Sequence, residues 1–260
     1  MAIADEFDEL VRLMARLRGP GGCPWDHEQT HASIRGYTIE EAYEVAEAID
    51  RGDHVELCNE LGDLLLQIVF HAQMASEDGR FTISDVIRAI NDKLVRRHPH
   101  VFGDTQVEGT AEVLRNWSRI KAEERRQSDD RSALAGVPRS MPALLRAQRL
   151  GEKAAHVGFD WPAISGVMAK LHEELEELSA AVGAHNRAET EAELGDLLYA
   201  GTSLARHAGI NAEEALSKAA DRFSERFRYM EELLAQSGRD PRDVSLAELE
   251  VLWAEAKRRR

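Results

Sequence analysis

The chain writes one acidic, helix-forming pattern twice. EEAYEVAEAIDRGDHVELCNELGDLL begins at Glu40, and EELEELSAAVGAHNRAETEAELGDLL begins at Glu173. Each carries five carboxylates in one register: Glu40, Glu41, Glu44, Glu60 and Asp63, then Glu173, Glu174, Glu177, Glu193 and Asp196. The hexapeptide ELGDLL closes both stretches, at 60–65 and 193–198, while the residues between the acids differ freely. Such self-similarity means two copies of one supersecondary unit, which restricts the fold before any local reading. Asp53 with Glu56, and Asn186 with Glu189, have the spacing of capping boxes that start the second helix of each copy.

The periodicity inside the copies is helical. Val167, Leu171, Leu175, Leu178 and Val182 form one apolar stripe, and Leu194, Leu197, Leu198 and Leu204 form another. Four residues, Gly183, Ala184, His185 and Asn186, separate them, short enough for an antiparallel hairpin of helices. A third helix is expected from about Ala212, capped by Asn211, towards Leu234, and a fourth after Ser245 with Glu248 completing its box. No run alternates with period two for long enough to make a strand, and aromatics at 6% favour helix packing. The expected class is all-α: two tandem helical bundles over 1–122 and 143–260. The charged, then small, then proline-punctuated segment 123–142 joins them as a linker.

Composition excludes several functions. A formal charge of −14 opposes general nucleic-acid binding, which needs a basic face, and the closing run from Lys257 to Arg260 is too short to reverse that. Two cysteines, Cys23 and Cys58, read as reduced thiols of a cytoplasmic protein. The chain has no stretch of eighteen apolar residues and opens on acids, so neither membrane insertion nor secretion is expected.

The acids point to chemistry. With about 100° of turn per residue, Glu173, Glu174 and Glu177 share one edge of a helix, and Glu193 and Asp196 share an edge of the next. Two like charges about 4 Å apart cost on the order of 4 kcal/mol at an effective dielectric near 20. Converging acids therefore either splay into water or surround a cation. One copy alone would suit a solvated face; retention of all five acids in both copies favours a metal. The donors are all oxygens, which suits Mg²⁺, with Mn²⁺ as a substitute, and no histidine or cysteine invites zinc or iron. Mg²⁺ keeps open positions for substrate phosphates, so a phosphorylated substrate follows. Basic and aromatic residues recur too. Lys93 with Arg97 matches Arg222 with Arg226, and Trp117 with Lys121 matches Trp253 with Lys257, each pair one helical turn apart. The tract His98, Pro99, His100 reads as a solvated turn ending a helix. Gly19 to Gly22 reads as a turn, and His156, His172, His185 and His207 read as ordinary histidines.

Together with GGCPWD at 21–26, RRHPHVFGD at 96–104 and VGFDW at 157–161, the paired acid motifs resemble the MazG-type family of all-α nucleoside triphosphate pyrophosphohydrolases across the whole chain. The resemblance implies Mg²⁺-dependent hydrolysis of a nucleoside triphosphate to monophosphate and pyrophosphate, by a metal-activated water at the α-phosphorus. It also implies a homodimer whose bundles combine helices of both chains. It assigns the metal to Glu174, Glu177, Glu193 and Asp196, with Glu41, Glu44, Glu60 and Asp63 as the first copy's equivalents. Substrate contacts fall on Lys170, Glu173, Glu189, Arg222, Arg226, Trp253 and Lys257, with Lys93, Arg97, Trp117 and Lys121 as candidates in the first copy. Glu173, the acid least committed to metal, is the candidate to orient or deprotonate the water. Tyr37 stands where Lys170 would be, and 76–81 is longer than its counterpart, so activity is expected from the second copy. Rival readings are a non-catalytic helical adaptor, a relative acting on phosphoribosyl-ATP or a modified nucleotide, and a divalent-ion store.

Overall fold

A computed structural model describes residues 2–126 and 132–258, so part of the expected linker, 127–131, lies outside the described residues. Among the described residues there are twelve α-helices, one 3-10 turn and no strand. The chain divides into two compact units, Met1–Trp117 and Ser118–Arg260. The first holds α1 (Ile3–Arg18), α2 (Pro24–Glu28), α3 (Arg35–Arg51), α4 (His54–Glu77), α5 (Ile83–Arg97) and α6 (Pro99–Phe102). α7 (Thr110–Arg126) runs across the division. The second holds α8 (Ala143–Ala155), α9 (Ile164–Gly183), α10 (Arg187–His207), α11 (Ala212–Gln236), a 3-10 turn (Pro241–Asp243) and α12 (Leu246–Arg258).

Each unit is built around the expected hairpin, α3 on α4 and α9 on α10. The two reversals are made at one register position: Gly52 has φ 67° and His185 has φ 53°. This left-handed conformation comes without steric cost to glycine, so the histidine sits there under more strain. Both hairpin caps form, but the Asp53 backbone N–H donates to the Ala48 carbonyl, and Glu56 accepts from Asn59 instead of completing a box. Asp53 accepts hydrogen bonds from the backbone N–H groups of Val55 and Glu56, and Asn186 accepts one from Glu189. The reciprocal half at Asn186 differs from a capping box, because Glu189 accepts from the Asn186 side chain rather than from its backbone. Asn211 caps α11 through Glu213 and Glu214, and Ser245 with Glu248 forms the complete box ahead of α12.

α1 lies along α4 in the first unit, and α8 lies along α10 in the second. Met14, Ile34, Val69, Phe70 and Met74 are buried together, with Phe7, Leu10 and Val11 against them. Burial of each large side chain stabilises by about 2 kcal/mol. Phe7, Leu10, Val11 and Met14 lie at i, i+3, i+4 and i+7, a signal sufficient to find α1 from sequence. The leucine stripes depart from expectation. Val167, Ala181 and Ala200 are buried, but Leu175, Val182, Leu194 and Leu198 are each about half exposed, at 52%, 53%, 47% and 51%. The α9–α10 hairpin, with α8 and α11 also packed on α10, leaves these residues of both stripes partly uncovered.

Candidate metal centres

The segment ahead of each hairpin is tied by a latch to the far end of the hairpin's second helix. In the first unit GGCPWD turns the chain sharply. A Cβ at Gly22 would lie 2.2 Å from the Leu17 carbonyl oxygen, so only glycine fits there. The turn places α2 where Arg18, 9% exposed, donates to the Asp26 and Gln29 carbonyls and bidentately to Glu77 at the end of α4. In the second unit VGFDW does the same work with different atoms. Asp160 accepts from both terminal nitrogens of Arg206 and lies 3.0 Å from the His207 Nε2. The Arg206 guanidinium holds the Asp160 carboxyl well below the usual range, against the opposing effect of partial burial. Trp161 then lies over Gly166, where a Cβ would come within 2.6 Å of its ring.

With the hairpins fixed, the acids converge. Oxygens of Glu41, Glu44 and Glu60 all lie within 4.8 Å of one another, as do those of Glu174, Glu177 and Glu193. Glu174 is buried, Glu193 half-buried and Glu177 exposed, so the second cluster reaches from helix packing to solvent. Partial burial first, then the charges of Glu177, Glu174 and Asp196, push the Glu193 carboxyl above its ordinary range. Glu41 and Glu60 are raised likewise, by partial burial and then by Asp63 and Glu44 for Glu41, and by Glu44 and Glu56 for Glu60. Asp63 and Asp196 thus act on the clusters through their charge but stand outside the closest triads. Glu40 is a lesser contributor at Glu41. All-oxygen donors held within reach of one point, at an electrostatic cost, fit a hard divalent cation.

Glu173 is not in the triad. Its carboxylate lies 2.7 Å from the Lys170 ammonium, which also lies 2.7 Å from Glu174. Glu189, one turn into α10, is engaged with Asn186 and adds to the negative field at Glu193. The basic residues assemble around aromatic rings. The Arg226 guanidinium is 6.0 Å and the Lys257 ammonium 5.9 Å from the Trp253 ring centre, and Phe223 packs on the same ring at 5.2 Å. Arg222 is exposed one turn before Arg226 on α11. In the first unit Lys93 is exposed and Arg97 half-buried at the end of α5. Trp117 meets the edge of His98 at 5.0 Å, and the Lys121 side chain lies outside the described residues. His98 and His100, expected in a solvated turn, are half-buried, because α6 folds back and brings both rings into contact. Sequence reasoning missed three polar contacts: both latches, and a His31–His71 pair whose Nδ1 atoms are 2.8 Å apart. Each latch touches a quoted motif, Asp26 in GGCPWD and Asp160 in VGFDW, but neither motif names its distant partner.

Residues 29–102 match the MazG nucleotide pyrophosphohydrolase domain family, and residues 156–223 match the phosphoribosyl-ATP pyrophosphohydrolase family. A nucleoside triphosphate pyrophosphohydrolase of Escherichia coli is 49% identical over 98% of both chains. The Thermotoga maritima nucleoside triphosphate pyrophosphohydrolase/pyrophosphatase MazG is 45% identical over 96% of this chain and 95% of its own. The chain belongs to the MazG family of pyrophosphohydrolases. An uncharacterized Bacillus subtilis protein, YabN, is 46% identical over 97% of this chain and 52% of its own. Both family matches include acids of the carboxylate clusters, so each of the two MazG-type units carries one. Among the described residues no helix is long and apolar enough to cross a membrane.

Proposed function

We propose that the chain hydrolyses nucleoside triphosphates to nucleoside monophosphate and pyrophosphate, at a Mg²⁺ site formed by Glu174, Glu177, Glu193 and Asp196. The observation that carries this is the convergence of three carboxylates within 4.8 Å on the α9–α10 hairpin, in a chain similar over its whole length to enzymes named for that reaction. The cation supplies charge neutralisation for the triphosphate and a bound water of lowered pKa. Glu174, Glu177 and Glu193 hold it, and Asp196 deepens the negative field. Glu173 orients the attacking water, and its proton leaves through that carboxylate. Water oxygen bonds to the α-phosphorus as the bond to the bridging oxygen of pyrophosphate breaks. Arg222, Arg226 and Lys257 bind the departing phosphates, and Trp253, held among Phe223 and two cations, offers a face for the base. The first unit's acids Glu41, Glu44, Glu60 and Asp63 hold a second Mg²⁺, and Mn²⁺ serves in place of either.

Half-exposed Leu175, Val182, Leu194 and Leu198 support a homodimer that covers these stripes, and the free thiols of Cys23 and Cys58 suit the cytoplasm. The match of 156–223 to the phosphoribosyl-ATP family favours one second reading, a substrate that carries a phosphoribosyl group on the base. Pyrophosphate release from ordinary triphosphates and from phosphoribosyl-ATP, with Mg²⁺ and with chelator, decides both. Mg²⁺-dependent release from ordinary triphosphates is expected. Release from phosphoribosyl-ATP alone would replace the substrate, and binding without release would leave an adaptor.

A further inference from the structure

The second carboxylate cluster already contains a cation. Lys170 Nζ lies 2.7 Å from an oxygen of Glu174, one of the three clustered acids, and 2.7 Å from an oxygen of Glu173, which stands outside the cluster. Among the described residues no lysine or arginine pairs with Glu41, Glu44 or Glu60 of the first cluster. The same register position there is Tyr37, whose ring is exposed and lies 6.2 Å from that of Trp25. The two clusters share three ligand positions but differ at this neighbour, and Glu174 is buried where Glu41 is half-buried.

We propose that Lys170 is a resident counter-ion of the second cluster, so that loading of a divalent cation and release of Glu174 by the Lys170 ammonium are one exchange. The inference rests on the divalent-cation reading above. An ammonium and a divalent cation on one carboxylate repel each other, so binding of the divalent cation favours departure of the ammonium. Lysine suits the exchange. Its charge is a point at the end of a flexible four-carbon stem, and the side chain is 34% exposed, so a path to solvent is open. Glu173 gives the displaced ammonium a place to stay, because its carboxylate is 55% exposed and already in contact. Lys170 then remains beside the centre with one fewer anion to serve, free to meet a substrate phosphate. The exchange also sets an order. The first cluster, which must evict nothing, takes up divalent cation at lower concentration than the second.

Mn²⁺ alone is the probe, titrated into the full-length chain with free Mn²⁺ read by electron paramagnetic resonance. Two classes of site are expected, the tighter removed by Glu41→Gln with Glu44→Gln and the weaker by Glu174→Gln with Glu177→Gln. Lys170→Met and Lys170→Gln should each tighten the weaker class by about tenfold and leave the tighter class unmoved. Tyr37→Lys should weaken the tighter class. Unchanged or weaker Mn²⁺ binding at the second class in both Lys170 variants, with circular dichroism intact, overturns the exchange while leaving the cation site standing. Absence of any Mn²⁺ binding sensitive to either glutamate pair overturns the cation reading and the exchange together.

Discussion

The two hairpins present the same three acids, and only the second sets a lysine against one of them. Around Glu41, Glu44 and Glu60 the acids meet only further acids, Asp63 and Glu56 among them, and Glu41 and Glu60 are pushed above the ordinary glutamate range, as Glu193 is in the second cluster. Around Glu174, Glu177 and Glu193 a lysine reaches in from one turn earlier on α9. Beyond the acids the units diverge again. One latch is an arginine of α1 reaching the end of α4, and the other is an aspartate ahead of α9 reaching the end of α10. Duplication fixed where the carboxylates stand on the helix backbone and left their neighbours free to change. The geometry of a ligand set and its charge balance are therefore separable properties.

The largest effect should come from removing the acids themselves. Glu174→Gln with Glu177→Gln keeps shape and removes two negative ligands, and pyrophosphate release should fall on the order of 10²–10³-fold or more. Glu41→Gln with Glu44→Gln should cost only about threefold, if turnover belongs to the second unit. Far-UV circular dichroism of both variants checks that the helices persist. Equal losses from the two pairs would break the functional side of the comparison.

The latches come next. Arg18→Met removes the guanidinium donor from the Asp26 and Gln29 carbonyls and from Glu77, which keeps only Gln73, and takes away a cation 5.4 Å from the Phe70 ring centre. A loss of roughly 3 kcal/mol is expected, read as faster hydrogen exchange across α1–α4 with α8–α10 unmoved. Arg206→Met leaves Asp160 with only His207 and the Trp161 backbone N–H, in a site more exposed than that of Arg18, so roughly 2 kcal/mol is expected, confined to α8–α10. Because Asp160 is held below its ordinary range, its contribution is present above about pH 4 and is lost as the pH falls below that. The Arg206→Met variant should therefore converge on the wild type in strong acid. Exchange that rises in both units after either substitution would mean that the latches are not local.

Much of this was legible because helices repeat on a short period. The hairpins and the caps at Asn211 and Ser245 follow from spacing, as does an acidic edge on each hairpin helix, of whose five acids per copy three meet within 4.8 Å. What was not legible depends on contacts between distant segments. Nothing local announces that Arg18 meets Glu77, fifty-nine residues on, or that His31 meets His71. Half-exposure of Leu175 and Leu198 was invisible for a related reason, since periodicity shows that a face is apolar but not how much of it a neighbouring helix covers. Lys170 was named only through the family resemblance, as a substrate contact, whereas its bonds to Glu173 and Glu174 depend on how a flexible side chain turns.

The smallest expected effect tests whether the units also differ in their response to pH. His31 and His71 face each other with parallel rings, Nδ1 atoms 2.8 Å apart and ring centres 5.1 Å apart. That centre separation equals the nitrogen separation plus two ring radii, so the rings meet edge to edge and one proton lies between them. Thr38 closes the chain at the His71 Nε2. Burial first, and then the neighbouring His31, lower the pKa of His71. The unfolded chain therefore binds more protons than the folded one between that lowered value and the ordinary one near 6.5. Stability from the pair is complete above about pH 6.5 and is lost as the pH falls through the lowered value. The same register positions in the second unit are Ile164 and Leu204, which do not titrate. Acidification from about pH 7.5 to about 5.5 should loosen α1–α4 by under about 1 kcal/mol, once solvent screening of the partly exposed pair is allowed for. His31→Ile with His71→Leu, which writes the second unit's residues into the first, should flatten that response. If the double variant still loosened in acid as the wild type does, the pH dependence would belong to other groups and the two units would titrate alike.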